Sequence, residues 1–172
     1  LLGSRGLGDV YKRQALRSGN ISVRHNNGFF ITPSGKKYSS LKVKDIVFVS
    51  LDGKYEKKYK PSSEWKFHQD IYVKKKDAQA IVHSHSTNAT ALSVHKKPIP
   101  AFHYMVALAG GNDIKCAKYA TYGTRELSKN ILKALNNRKA CLIANHGQIA
   151  FDKNLPDAFE LAQEVENLSL IH

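Results

Sequence analysis

Three histidines and a glutamate carry the chemistry this sequence offers. His83 and His85 sit in the stretch Ile81-Val82-His83-Ser84-His85-Ser86. A strand turns alternate side chains to one face, so the two imidazoles point the same way. Two imidazoles on one rigid edge supply two ligands of a zinc site. The candidate third nitrogen is His146, in Asn145-His146-Gly147 after the apolar run Ala140 to Ala144. Three histidines with an open coordination position form the catalytic pattern rather than the structural one. Such a metal polarises a carbonyl as a Lewis acid, while a carboxylate moves a proton on the adjacent carbon. Glu64, in Pro61-Ser62-Ser63-Glu64-Trp65, is the candidate carboxylate. Taken alone, an acid in a first helical turn is a capping charge.

Three further stretches are built to hold an anion: Gly19-Asn20, Ser34-Gly35 and Ser62-Ser63. Glycine and small hydroxyl residues at strand ends, or at a helix N-terminus, let backbone N–H groups approach an anion closely. Each stretch alone reads first as a plain turn. Beside a metal, they point to a phosphorylated carbonyl substrate.

The elements that must position these residues follow from periodicity and turn chemistry. Gly19-Asn20 runs into a short strand, and Asn26-Asn27-Gly28 signals a hairpin. Phe29 to Thr32 is the second strand, closed by Pro33-Ser34-Gly35, and Asp45 to Leu51 is the third. Asp52-Gly53 then turns into a lysine-rich edge, Lys54 to Lys60. A serine-capped helix starts at Pro61-Ser62-Ser63 and runs to about Lys75, burying Trp65 or Phe67 with Ile71 and Tyr72. Ala80 to Ser84 is the strand that carries the first histidines. Thr87 to Val94 is a small-residue helix, Phe102 to Ala109 an apolar helical stretch ended by Gly110-Gly111, and Ile114 to Ala117 a short strand. An amphipathic helix over Arg125 to Asn136, capped by Thr124, carries the stripe Leu127, Ile131, Leu132 and Leu135. Strands at Ala140 to Ala144 and Gln148 to Phe151 flank His146. The last helix, Asp157 to Asn167, follows Pro156 and turns Ala158, Leu161, Ala162 and Val165 inward. Strands adjacent in sequence, with helices interspersed, predict a layered α/β fold with a mixed or antiparallel sheet rather than a doubly wound one.

The chain of 172 residues, 42% hydrophobic, fits one domain with a sizeable core. No apolar run approaches the roughly 20 residues that cross a bilayer, and no signal peptide is visible. Two cysteines, Cys116 and Cys141, make no disulfide framework, so a reducing cytoplasm is expected. The formal charge of +13 comes from 27 Lys+Arg against 14 Asp+Glu. Its lysines are scattered, which favours a solvated surface over a nucleic-acid partner; the field would still draw in a phosphorylated substrate. His25, His68, His95 and His103 read as surface or packing histidines, although His68 lies one helical turn after Glu64. Asp9 to Gln14 is what one strand of a transposase end sequence encodes, and Leu168 to His172 is what its complementary strand encodes. Leu1 to Gln14 and Leu168 to His172 are therefore expected to be sequencing-library scars flanking a domain at 15–167, truncated at both ends.

The motifs GNISV, FITPSG, PSSEW, VHSH, HYM, AGGN, YGTREL and NHG occur in that order. Together they resemble the class II aldolase/adducin family over Ala15 to Asn167. The resemblance implies a three-layer fold, with a central mixed or antiparallel sheet and helices on both sides. It implies one Zn2+ per subunit on His83, His85 and His146, with Glu64 as the catalytic glutamate. It further implies a substrate-phosphate pocket of Asn20, Ser34, Gly35, Ser62 and Ser63, with Tyr122 lining the aldehyde side. Tyr104 would act catalytically in a neighbouring subunit's site, within a homotetramer. The implied reaction is reversible cleavage of a phosphorylated ketose, L-fuculose 1-phosphate, to dihydroxyacetone phosphate and L-lactaldehyde. No nucleic-acid or membrane partner is implied. Another class II sugar-phosphate aldolase, or a pentulose-phosphate 4-epimerase with aspartate in place of Glu64, are the enzymatic alternatives. An adducin-like structural module that has lost its metal residues is the non-enzymatic one. An N-terminal helix and a C-terminal tail bearing another tyrosine, both expected in the family, are missing from the motif series.

Overall fold

The computed structural model describes residues 18–172. The segment Leu1 to Gln14 lies outside them. Seven strands form one sheet: β1 Asn20–His25, β2 Gly28–Ile31, β3 Val47–Ser50, β4 Ala80–Ser84, β5 Cys116–Ala117, β6 Ala140–Ile143 and β7 Gly147–Asp152. Their order is β3-β2-β1-β4-β7-β6-β5. Every neighbouring pair is antiparallel except β5 and β6, which run parallel. Among the described residues four α-helices cover the sheet: α1 Trp65–Lys74, α2 Thr87–Ser93, α3 Arg125–Ala134 and α4 Leu155–Ile171.

Alternation along the strands sorts the core into two apolar clusters. Ile81 of β4 packs with Phe67, Ile71 and Tyr72 of α1 and with Leu127 and Ile131 of α3. Its neighbours Ala80 and Val82 pack with Ala89 of α2 and with Ala158, Leu161 and Val165 of α4. All five residues of β4 are buried, as expected for a strand covered on both faces. The result is the expected three-layer arrangement around a mixed sheet, with the histidine strand at its centre.

Local differences from the sequence reading have local causes. The helical stretch expected over Phe102 to Ala109 is a 3-10 helix over Tyr104–Ala109. Only Val106 and Ala109 of it are buried, and a spacing of three suits three residues per turn. The third strand starts two residues late because Val43–Asp45 forms a 3-10 turn, closed by Lys42 N–H donating to Asp45 at 2.8 Å. The serine-cap expectation for α1 is corrected: Glu64 holds the N-cap position, and Ser62 Oγ accepts the Glu64 N–H at 3.3 Å. α4 continues past Asn167, since Leu168 and Ser169 extend the buried stripe of Ala158, Leu161, Ala162 and Val165.

One contact ties the outer helices to the histidine strand. α2 follows directly after His85, and its Ser86 N-cap makes no side-chain capping bond. Glu166 of α4 takes over that role, accepting from Asn88 N, Ala89 N and Asn88 Nδ2 at 2.8–2.9 Å. A carboxylate satisfying orphan N–H groups gains from both hydrogen bonding and the helix dipole. Glu166→Ala is expected to destabilise the fold by about 1.5–3 kcal/mol; an unchanged urea-unfolding midpoint would contradict this role.

Candidate active site

His83 is set by its strand. Its Nδ1 lies 2.8 Å from the Gln148 carbonyl of β7, and a carbonyl can only accept, so Nδ1 carries the hydrogen. Nε2 then presents a lone pair to the interior. That lone pair faces His85 Nε2 at 3.0 Å and Glu64 Oε2 at 3.1 Å. His146 Nε2 lies 3.2 Å from Glu64 Oε1. Ligand atoms of Glu64, His83, His85 and His146 all fall within 4.8 Å of one another.

His146 is delivered by a tight turn between β6 and β7. Asn145 adopts a left-handed φ of 56°, which asparagine tolerates. Ser93 of α2 holds the turn from outside, its carbonyl accepting Asn145 N–H at 3.3 Å and its hydroxyl accepting His146 N–H at 3.4 Å. Gly147 allows the close approach. A Cβ there would lie 2.4 Å from the Ser84 carbonyl and 3.2 Å from His85 Cα. Only glycine lets the start of β7 press against the end of β4 and bring His146 to His85.

Glu64 is held from the other side. Asn20 of β1 pairs in register with His83 of β4, so both side chains emerge on the face covered by α1. Along α1, Glu64, His68 and Tyr72 recur every four residues. Four helical residues advance about 6 Å and two strand residues about 6.7 Å, so this stripe meets Asn20 and Ser22 nearly in step. Asn20 Nδ2 donates to Glu64 Oε2 at 3.0 Å. His68 bonds Asn20 Oδ1 through Nε2 and Ser22 Oγ through Nδ1, the latter at 2.7 Å. Tyr72 OH meets Ser22 Oγ at 2.8 Å. Beyond it, Arg24 donates to the Tyr72, Lys75 and Ala78 carbonyls and so pins the end of the helix.

Electrostatics favour a cation at the centre. Burial opposes ionisation of Glu64, but the proximity of His83 and His146 outweighs it and holds the carboxyl well below the usual carboxylate range. Burial, then repulsion from His83 and His146, pushes His85 down to about 3. Neutral imidazole and ionised carboxylate are the forms that bind metal. Glu64 Oε1 is buried and has no hydrogen-bond partner. An orphan carboxylate oxygen among imidazole nitrogens fits a metal ion in both charge and donor type.

Glu64, His85 and His146 line a cavity of about 340 Å³, together with Gly19, Asn20, Ser34, Gly35, Ser62 and Ser63. Tyr119 and Tyr122, both exposed, line it as well. Residues 11–172 match the model of the class II aldolase and adducin N-terminal domain. This chain belongs to the class II aldolase and adducin family. The chain is 51% identical over 155 residues to an L-fuculose phosphate aldolase of Escherichia coli O6:H1, covering 90% of this chain and 72% of that protein. It is also 51% identical over 152 residues to a 5-methylthioribulose-1-phosphate/5-deoxyribulose-1-phosphate aldolase of Rhodospirillum rubrum, covering 88% and 69%. A solved L-fuculose 1-phosphate aldolase superposes with a TM-score of 0.89 at 42% identity, covering 96% of this chain and 80% of that one.

As a class II aldolase, the chain is a metal-dependent lyase, and its residues supply a cluster able to hold the metal. The three anion-type stretches expected from the sequence do meet in one cavity. Their amides are less available than expected. Ser34 N–H is taken by the Lys60 carbonyl, Ser62 N–H by Thr32 and Trp65 N–H by Ser62. A ligand therefore meets hydroxyls rather than these amides. His83 is fully buried and sits behind the cavity lining. Tyr104 is not brought to the cavity; it is 81% exposed on the 3-10 segment. Sequence reasoning missed Tyr119, Asn145 and the supports Ser93 and Gln148. It read His68 first as a surface or packing residue, with a supporting role behind Glu64 as the alternative, although its four-residue spacing between Glu64 and Tyr72 was a readable stripe.

Gly147→Ala is expected to push the His146 turn off His85 and weaken metal binding about tenfold or more, read by competition with a chromogenic chelator. A second outcome concerns acid. Burial first, then repulsion from His83, pushes His68 down to about 3 from the ordinary 6.5. Below about pH 6.5 the unfolded chain takes up a proton that the folded chain refuses until about pH 3. Stability of the metal-free protein should fall as pH drops through that window, by up to about 1.4 kcal/mol per pH unit for this group. Urea unfolding at pH 7 and 5 measures the loss, and His68→Gln should reduce the slope by one proton's worth.

Proposed function

We propose that this class II aldolase reversibly cleaves L-fuculose 1-phosphate to dihydroxyacetone phosphate and L-lactaldehyde, using one Zn2+ per subunit on His83, His85 and His146. The observation that carries the reading is the shared cavity, which Glu64, His85 and His146 line together with Ser34 and Ser62. Three imidazoles and an open position suit zinc. Bound there, zinc withdraws electron density from the ketone oxygen. The substrate phosphate is assigned to Asn20, Ser34, Gly35, Ser62 and Ser63, which orients the ketose by its charged end. In the condensation direction, Glu64 takes the proton from the hydroxymethyl carbon of dihydroxyacetone phosphate. The carbon left with the electron pair then attacks the aldehyde carbon, and the aldehyde oxygen takes up one proton to become the C4 hydroxyl. In cleavage the C4 hydroxyl gives up its proton as the C3–C4 bond breaks and the aldehyde forms, the pair stays on C3, and one proton is delivered to that carbon through Glu64. The ionised state of Glu64 in the free site supplies the base form.

Tyr122 lines the aldehyde side. Tyr104 is assigned to a neighbouring subunit's site in a homotetramer. Its exposure beside the exposed Phe102 and Leu108 supports that assignment, since a large exposed apolar patch marks an interface. The two unpaired thiols are in keeping with a cytoplasmic enzyme. A second substrate has specific support. The Rhodospirillum rubrum relative is as similar to this chain as the fuculose one. Cleavage of 5-deoxyribulose 1-phosphate between C3 and C4 would give the same dihydroxyacetone phosphate and differ only in the aldehyde.

Elemental analysis should find about one zinc per chain, with dihydroxyacetone phosphate released faster from L-fuculose 1-phosphate than from 5-deoxyribulose 1-phosphate. The reverse order would select the second reading. Glu64→Gln should retain zinc and lose about 10²–10⁴-fold in kcat; full turnover would remove the base assignment. Tyr104→Phe should sediment as the parent tetramer while turning over more slowly; a monomeric parent would refute the shared-site role.

A further inference from the structure

The polar seam between α1 and β1 runs away from the cavity into the core, yet it ends on Glu64. Its members Asn20, Ser22, His68 and Tyr72 are all buried. We propose that His68 is a positioning residue: backed by Ser22 and Tyr72, it locks the Asn20 amide so that Asn20 holds one oxygen of Glu64 and leaves the other for proton transfer. The inference rests on Glu64 acting as the base of the aldolase reaction.

The hydrogens along the seam can run in only one direction. An ionised carboxylate accepts and cannot donate. Asn20 must therefore present its NH2 group to Glu64 Oε2, at 3.0 Å. Its Oδ1 then faces His68 Nε2, which must carry the ring hydrogen. His68 Nδ1 is left as an acceptor for the Ser22 hydroxyl at 2.7 Å. Ser22 Oγ in turn accepts from Tyr72 OH at 2.8 Å. Each member gives one hydrogen toward Glu64, and Asn20, His68 and Ser22 each take one from behind. With the chain reversed, Asn20 Oδ1 would face the carboxylate, acceptor against acceptor.

This polarity has a consequence at the base. Rotation of the Glu64 carboxyl group would exchange its two oxygens. Asn20 donates a hydrogen bond to Oε2, while Oε1 is buried without one and lies 3.2 Å from His146 Nε2. Pinning Oε2 selects Oε1 as the oxygen that meets the substrate proton. Apolar residues could fill the same space without desolvating four polar groups, so the seam is better explained by orientation than by stability. Asn20 also lines the cavity. It thus links the hydroxyl pocket to the base.

Two measurements test this. Nitrogen-15 NMR of the zinc-loaded parent protein, without substrate, should show His68 as the neutral Nε2–H tautomer. Finding the Nδ1–H tautomer overturns the proposal, whether or not the protein cleaves either sugar phosphate. Kinetics come second. His68→Leu should lower kcat about tenfold or more, with KM and zinc content within about twofold of the parent. His68→Gln, whose amide N–H can replace Nε2–H toward Asn20, should recover kcat to within about threefold of the parent. Parental kcat in His68→Leu overturns the proposal. So does a His68→Gln variant that unfolds like the parent but is as slow as His68→Leu. A parent protein inactive on both sugar phosphates would refute the proposed reaction, and the tautomer would still decide the seam.

Discussion

Three imidazole nitrogens and a carboxylate brought within 4.8 Å of one another make a site suited to a cation. The rest of this structure depends on that constraint. The Gln148 carbonyl fixes the His83 tautomer, so its lone pair has to face inward. Strand β4 is buried on both faces and central in the sheet, so the site sits at the end of a fully enclosed strand. Ser93 and the left-handed Asn145 hold the turn that brings in His146, and Gly147 removes the one side chain that would keep the strands apart. Each of these is a backbone or packing device. None is a metal ligand, and together they place the donors before any ion arrives, which is the preorganisation metal catalysis requires.

The meeting of α1 and β1 has a different character. Apolar clusters on either side would bury a helix against a sheet without prescribing its register. The near match between four residues of helix and two of strand makes a polar register possible. Asn20, Ser22, His68 and Tyr72 use it, and Arg24 seals its far end through the Tyr72, Lys75 and Ala78 carbonyls. A one-residue slip would unpair several buried groups at once. The helix that carries Glu64 is therefore keyed to the strand beside the histidines.

The cavity itself carries little positive charge. No described residue lining it is lysine or arginine, although the whole chain has a formal charge of +13. An anion entering it would meet hydroxyls, an asparagine amide and the metal ligands. Surface charge acts at a distance and speeds encounter, while neutral donors at fixed positions discriminate shape. This division leaves Glu64 free of a competing fixed cation in the cavity wall.

Much of the site was legible in the sequence. His83 and His85 share a face because side chains alternate along a strand, and that period survives in any fold that buries β4. The apolar run before His146 marks it as the end of a buried strand. The layered mixed sheet follows from strands adjacent in sequence with helices between them. Tertiary structure alone decided what those residues touch. That Ser34 and Ser62 spend their amides on Lys60 and Thr32 depends on two segments pairing across about thirty residues of chain. That His68 joins Asn20 and Ser22, and that Tyr104 stays outside the cavity, depend on how whole elements dock. Local sequence sets periods, turns and caps because these rest on interactions within a few residues; the partner of a buried donor is set by register between distant elements, which no local pattern encodes.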